Sequence, residues 1–208
     1  MLKVFYTYVS DLPTSVEGLT LSEYRIGRLK KISPIEKRQQ SIGAELLLNH
    51  AVKSVFAEIK PPLEICADSL GKLYFKSIPL KFSLSHSGDM AVCAISDENV
   101  GIDVEVGIEY KEKIAERFFS AAEIQGLEIS ADKDTEFGRI WTAKESTLKY
   151  LGCGLSRDIS SVALINENTV MLSPENTTLK VIYKNLSGAH ISVCTAEEKV
   201  QSFEHAKI

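Results

Sequence analysis

Ala44, Leu47, Leu48, Ala51, Val52, Val55 and Phe56 step along the chain by three and one, the apolar stripe of an amphipathic helix. Ser33-Pro34-Ile35-Glu36 predicts its start, with a capping serine, a proline at the first helical position and a capping-box glutamate. Pro61-Pro62 predicts its stop. Phe137, Ile140, Trp141, Leu148 and Leu151 draw a second long stripe ending near Gly152, and Ser120-Ala-Ala-Glu123 opens a short helix before it. β-Branched and aromatic clusters between turn signals predict strands over 2–9, 80–85, 90–96, 99–106, 161–165, 169–172, 179–185 and 190–195.

The two halves of the chain echo each other at a spacing of about 100 residues. Ser87-Gly-Asp-Met-Ala-Val-Cys93-Ala matches Ser187-Gly-Ala-His-Ile-Ser-Val-Cys194-Thr-Ala with one insertion, and Arg38 to Glu45 matches Arg139 to Glu145 and the serine after it. Chance, with shared strand and helix composition, is the alternative to a real repeat. Taken as a repeat, the pattern predicts an α+β protein of two similar α/β halves, 1–98 and 99–208, packed about a pseudo-twofold axis. Ligands favour such interfaces.

Composition narrows the class. Of 208 residues 44% are apolar and 25% charged, enough for a core and too ordinary for a disordered or low-complexity chain. The net charge of -4 argues against a general nucleic-acid sheath, so any anion site must be local. One such place is the stretch from 23 to 38, where Arg25, Arg28, Lys30, Lys31, Lys37 and Arg38 stand against Glu23 and Glu36, six against two, for a local +4. The N-terminus lacks the pattern of a secretory signal, and no window approaches the roughly 20 apolar residues of a membrane span. Cys66, Cys93, Cys153 and Cys194 are scattered among apolar neighbours, the usage of reduced thiols. The expected setting is the cytoplasm.

Gly101-Ile-Asp103-Val-Glu105-Val alternates strictly, so Asp103 and Glu105 project from one face of a strand about 7 Å apart. Two such carboxylates suit a hard divalent ion such as Mg²⁺, although the solvated face of an edge strand would look the same. Trp141, Glu145 and Lys149 fall at i, i+4 and i+8 on one helix flank, which puts Glu145 at the border of core and solvent. There it could be a third carboxylate, or merely half of a surface ion pair with Lys149. Ser85-His86-Ser87-Gly88 and Gly71-Lys72 form small-residue turns that suit phosphate oxygens. Ser85 and His86 project to opposite sides of an extended chain, which speaks against a serine-triad hydrolase.

Taken in order, Ser85-His-Ser-Gly88, Gly101-Ile-Asp-Val-Glu105, Phe118-Phe-Ser-x-x-Glu123 and Trp141-x-x-Lys144-Glu145-Ser-x-x-Lys149 resemble the successive motifs of the 4′-phosphopantetheinyl transferases of the long, surfactin-synthetase-activating type. The likeness is strong over about residues 71–155. It implies the fold of that family, two fused halves, the first carrying a basic helix and phosphate-binding turns and the second the metal-binding carboxylates. It also implies transfer of the phosphopantetheine arm of coenzyme A to a serine of an apo acyl or peptidyl carrier protein, with release of adenosine 3′,5′-bisphosphate.

By the same resemblance Asp103, Glu105 and Glu145 would hold Mg²⁺, Glu145 would also serve as base, and Lys149 would stabilise the leaving oxygen. Lys37, Arg38, Lys72, Ser85, His86 and Lys144 would contact the phosphates of coenzyme A, and Glu123 would stand near the metal. The stretch from Val106 to Arg117 would help dock the carrier. Gln40 stands where the family pattern has an arginine, with Lys37 and Arg38 just before it. A monomer is the simplest assembly for fused halves. A Mg²⁺-dependent phosphohydrolase and a carrier-binding module without turnover are the competing readings.

Overall fold

The structure, a computed structural model, describes residues 1–13, 17–197 and 200–208, with the side chain of Leu155 left aside. Its strands are β1 Leu2–Tyr8, β2 Ile65–Ala67, β3 Leu73–Phe75, β4 Lys81–Ser87, β5 Met90–Ser96, β6 Val100–Val106, β7 Val162–Asn166, β8 Thr169–Leu172, β9 Thr177–Leu186, β10 Ala189–Thr195 and β11 Ser202–His205. The helices are α1 Glu23–Leu29, α2 Ile35–Val55, α3 Glu112–Phe118, α4 Ala121–Ile129 and α5 Lys133–Leu151. All eight expected strands are present within two residues at either end. Four elements escaped the pattern: α1, α3, the β2–β3 hairpin and β11.

One sheet has the order β11-β1-β5-β4 and the other β6-β10-β9-β8-β7. Within them the units β1-α2-β4-β5 and β6-α5-β9-β10 share one connectivity and one strand order, β1-β5-β4 beside β6-β10-β9, all antiparallel. The two hairpins turn at Gly88-Asp89 and Ser187-Gly188, with Gly88 and Gly188 at φ of 52° and 88°. The echo in the sequence therefore has a topological counterpart. β11 departs from it, returning to run parallel to β1, so the first sheet takes its edge from residues 202–205.

Alternation along the central strands sorts the core into layers. Phe5, Ala91, Cys93 and Ile95 face Leu47, Leu48, Ala51 and Val52 of α2. From the opposite face of that sheet, Leu2, Val4, Met90, Val92 and Ala94 pack against Val100, Ile102, Val104, Ala189, Ile191 and Val193 of the second sheet. The far side of the second sheet meets Phe137, Ile140 and Ala143 of α5. Every residue of β5 and β10 is consequently buried, as expected of strands covered on both faces.

Side-chain caps start α1, α4 and α5, whereas α2 and α3 begin without one. Asp132 accepts from Thr135 N to start α5, Gly152 in the left-handed region ends it, and Ser120 with Glu123 forms a reciprocal capping box on α4. At α2 the expectation needs correcting: Pro34 is itself the N-cap residue and no side chain caps the helix, because Ser33 lies one residue too early. The helix also ends at Val55, well before Pro61.

α5 lies unusually close to β6. A Cβ on Gly101 would come within 2.0 Å of the Ser146 carbonyl oxygen and 2.3 Å of Tyr150 N. Only glycine permits that approach, and it sets the Glu145–Lys149 flank of the helix beside the face of β6 that carries Asp103 and Glu105.

Candidate active site

The site forms along the seam where the two sheets meet. β4 and β6 are neighbours without a regular ladder, and alternate serines of β4 bridge them. Ser83 Oγ accepts from Ile102 N at 3.0 Å, Ser85 Oγ donates to Asp103 Oδ1 at 2.8 Å, and Ser87 Oγ donates to Glu105 Oε2 at 2.7 Å. The two-residue period of a strand turns all three hydroxyls to the same side.

Lys149 reaches from α5 to the same place. Its Nζ donates to Asp103 Oδ1 at 2.7 Å and to Ser85 Oγ at 2.8 Å, closing a triangle of carboxylate, hydroxyl and ammonium. The other oxygen of Asp103, Oδ2, is buried with no hydrogen-bond partner. A buried carboxylate oxygen left bare is costly and unusual in a native interior. Glu145 and Glu105 stand in the field of Asp103 and of each other. Burial, then repulsion from Asp103, pushes the Glu145 carboxyl above the ordinary range. Burial and Asp103 raise Glu105 too, against the opposing hydrogen bond from Ser87. Among the described residues no three acidic, histidine or cysteine side chains are already gathered as a metal cluster. A bare buried oxygen and two carboxyls pushed towards neutrality nonetheless make a donor set that fits a hard cation.

Beside this seam lies a cavity of about 480 Å³. Arg25 and Arg28 of α1, Lys72 of the β2–β3 turn, Ser85 and His86 of β4 and Lys149 of α5 contribute to its wall. Lys72 Nζ donates to the Tyr150 carbonyl at the end of α5 at 2.6 Å, and its stem packs over Gly152. Burial lowers its pKa. Burial, reinforced by Lys37, Lys149 and Arg25, depresses His86 to about 4, so the ring is neutral near pH 7. Its Nδ1 is buried without a partner. An open, cation-lined cleft of this size suits a polyanionic ligand.

α1 owes its placement to a carboxylate that no motif singles out. Glu45, with no exposed surface, accepts from Ser22 N, from Ser22 Oγ at 2.9 Å and from Arg25 Nε at 3.0 Å, while Arg25 Nη1 donates to Ser41 Oγ at 2.7 Å. Arg25 and Arg28 were visible only as members of a basic run. What places them at the cleft is this network, formed by residues 16 to 23 positions apart.

Three expected site residues stand elsewhere. Lys144 is fully buried, donates to the Val162 carbonyl, and pairs with Glu123 at 2.9 Å. Glu123 in turn caps α4 and accepts from Leu164 N at 2.7 Å. Lys144 and Glu123 therefore stand together in a buried network and neither lines the cleft; on α5, successive residues 144 and 145 face different ways. Arg38 folds back to donate to the carbonyls of Leu29 and Ile32, fastening α1 to α2. Lys37 remains exposed, and its charge is felt at His86 and Glu105. Gln40 Nε2 donates to the Gly88 carbonyl at 2.7 Å.

A second groove of about 380 Å³ begins at Glu105 and runs past Val106, Ile108, Lys111 and Ile114 to Phe137 and Trp141. Among the described residues no helix is long and apolar enough to cross a membrane.

Comparison with known proteins places the chain in a family. Residues 99–200 match the model of the 4′-phosphopantetheinyl transferase superfamily. The 4′-phosphopantetheinyl transferase psf-1 of Bacillus pumilus is 34% identical over 182 residues, covering 84% of this chain and 77% of that protein. The 4′-phosphopantetheinyl transferase ffp of Bacillus subtilis is 32% identical over 197 residues, covering 85% and 88%. The 4′-phosphopantetheinyl transferase Sfp of Bacillus subtilis (strain 168) is 29% identical over 133 residues, covering 62% and 59%. On these likenesses the chain belongs to the Sfp-like 4′-phosphopantetheinyl transferases and is an enzyme that transfers the 4′-phosphopantetheinyl group.

Proposed function

We propose that the enzyme moves the phosphopantetheine arm of coenzyme A onto a serine hydroxyl of an apo acyl or peptidyl carrier protein and releases adenosine 3′,5′-bisphosphate. The observation that carries this reading is the cationic cleft, whose wall includes Ser85 and Lys149, the two side chains that hydrogen-bond Asp103. Arg25, Arg28 and Lys72 bind the phosphates, with the uncharged His86 contributing hydrogen bonds. Asp103, Glu105 and Glu145 would hold Mg²⁺, which supplies charge neutralisation at the pyrophosphate when bound.

Glu145 takes the proton of the carrier serine as its oxygen bonds to the β-phosphorus, and the bond from that phosphorus to the bridging oxygen breaks. Lys149 hydrogen-bonds the departing phosphate oxygen. Residues from Val106 to Arg117, with the groove ending at Trp141, receive the carrier. The two halves, 1–98 and 99–208, relate by a pseudo-twofold axis; the shared strand order supports this, and β11 is the exchange between them. A cytoplasmic monomer completes the reading.

The test is incubation with coenzyme A, Mg²⁺ and an apo carrier, read by mass spectrometry. The arm appears on the carrier with the native protein, and transfer is abolished in Asp103→Ala and Glu145→Ala. Free phosphopantetheine beside an unmodified carrier would mean a phosphohydrolase, and carrier binding without either product a module without turnover. Near-normal rates in both variants would remove the carboxylate assignment.

A further inference from the structure

We propose that Lys149 is a built-in counter-cation of the carboxylate seam, and that a divalent ion must displace its ammonium from Asp103 before the site is charged. The inference rests on the reading of Asp103, Glu105 and Glu145 as metal-holding residues and adds how access to them is controlled.

Geometry carries it. The ammonium lies at 2.7 Å from Asp103 Oδ1, in direct contact with the carboxylate at the centre of the seam, while Oδ2 has no partner. A dication seated among the three carboxylates would meet this positive charge at short range, where the interior screens poorly. Asp103 is 6% exposed and fixed by Ser85, whereas Lys149 is 31% exposed at the end of a flexible four-carbon stem. The partner able to move is the lysine. Its other available direction is the cleft that it already lines.

Displacement therefore has a second effect: the ammonium is released toward the cavity in which the anionic ligand sits. By reciprocity, an anion that draws Lys149 into the cleft vacates Asp103 for the ion, so metal and anionic ligand favour each other's binding. The arrangement also explains how three carboxylates tolerate a half-buried seam before any ion arrives.

The probe is Mn²⁺ alone, without coenzyme A, titrated against the full chain and followed by the loss of its free-ion electron paramagnetic resonance signal. Lys149→Met and Lys149→Gln remove the charge, Lys149→Arg keeps it, and circular dichroism confirms folding of each. We expect both neutral variants to bind Mn²⁺ at least about tenfold more tightly than the native protein, and Lys149→Arg to bind no more tightly than native. Equal or weaker binding in the neutral variants would overturn the placeholder role while leaving the metal site standing. No binding by any of the proteins would overturn both, since the site freed of its ammonium should then be at its most receptive.

Discussion

The hydroxyl of Ser85 donates to Asp103 Oδ1 at 2.8 Å, joining residues that belong to different sheets. That bond, with its neighbours at Ser83 and Ser87, takes the place of a backbone ladder between β4 and β6. Replacing Ser85 by alanine should cost about 1 kcal/mol of stability, measured by urea denaturation. It should lower kcat for carrier loading more than it changes the KM for coenzyme A, because Asp103 loses its orienting donor. An unchanged kcat would mean that Asp103 keeps its place without the donor from Ser85.

The cationic wall of the cleft and the junction beneath it are separable. Arg28→Ala should raise the KM for coenzyme A about tenfold or more with little change in melting temperature, since Arg28 is exposed and lines the cavity. Arg38→Ala should instead lower the melting temperature, because the carbonyls of Leu29 and Ile32 lose their donor, and should leave that KM nearly unaltered. The reverse pattern would restore Arg38 as a phosphate ligand.

Lys144 and Glu123 make the matching test for a residue that the family resemblance placed in the site. Removing one partner strands a buried charge, so Lys144→Met should destabilise the protein by about 3–5 kcal/mol. Glu123→Gln should fall in the same direction. In whatever fraction stays folded, coenzyme A affinity should be native. Isothermal titration at low temperature separates the two effects, and a selective loss of affinity would place Lys144 back in the cleft.

Residues carrying a motif were legible because their neighbours on the chain define them: Asp103 and Glu105 by alternation, Glu145 and Lys149 by helical spacing. Lys144 belongs to the same motif string yet stands in a buried pair with Glu123, because adjacency in sequence says nothing about which face of α5 a side chain takes. Glu45 was invisible for the opposite reason. Its partners Ser22, Arg25 and Ser41 are assembled only by the α1–α2 corner, and α1 is a seven-residue helix with too few turns to show a period. β11 is four residues long and gains its ladder from β1, far away along the chain.

His86 should make the protein acid-sensitive in a defined window. Its folded pKa is depressed to about 4 by burial and nearby cations, against roughly 6.5 when unfolded. Between those values the unfolded chain binds the extra proton, so the contribution is fully present above about pH 6.5 and is lost as pH falls toward 4. Native protein should lose stability relative to His86→Gln by on the order of 1 kcal/mol per pH unit in that window, read from paired denaturation curves. Parallel curves at all pH values would show the ring to be charged or exposed.

The return of residues 202–205 to the edge of β1 bears on how the chain is born. On the ribosome β1 is made long before residues 202–205, so that strand must wait for its outer neighbour. Until translation reaches β11, the nascent protein presents an unfilled strand edge to every other chain in its surroundings. A chain lacking residues 202–205 would leave that edge open for good.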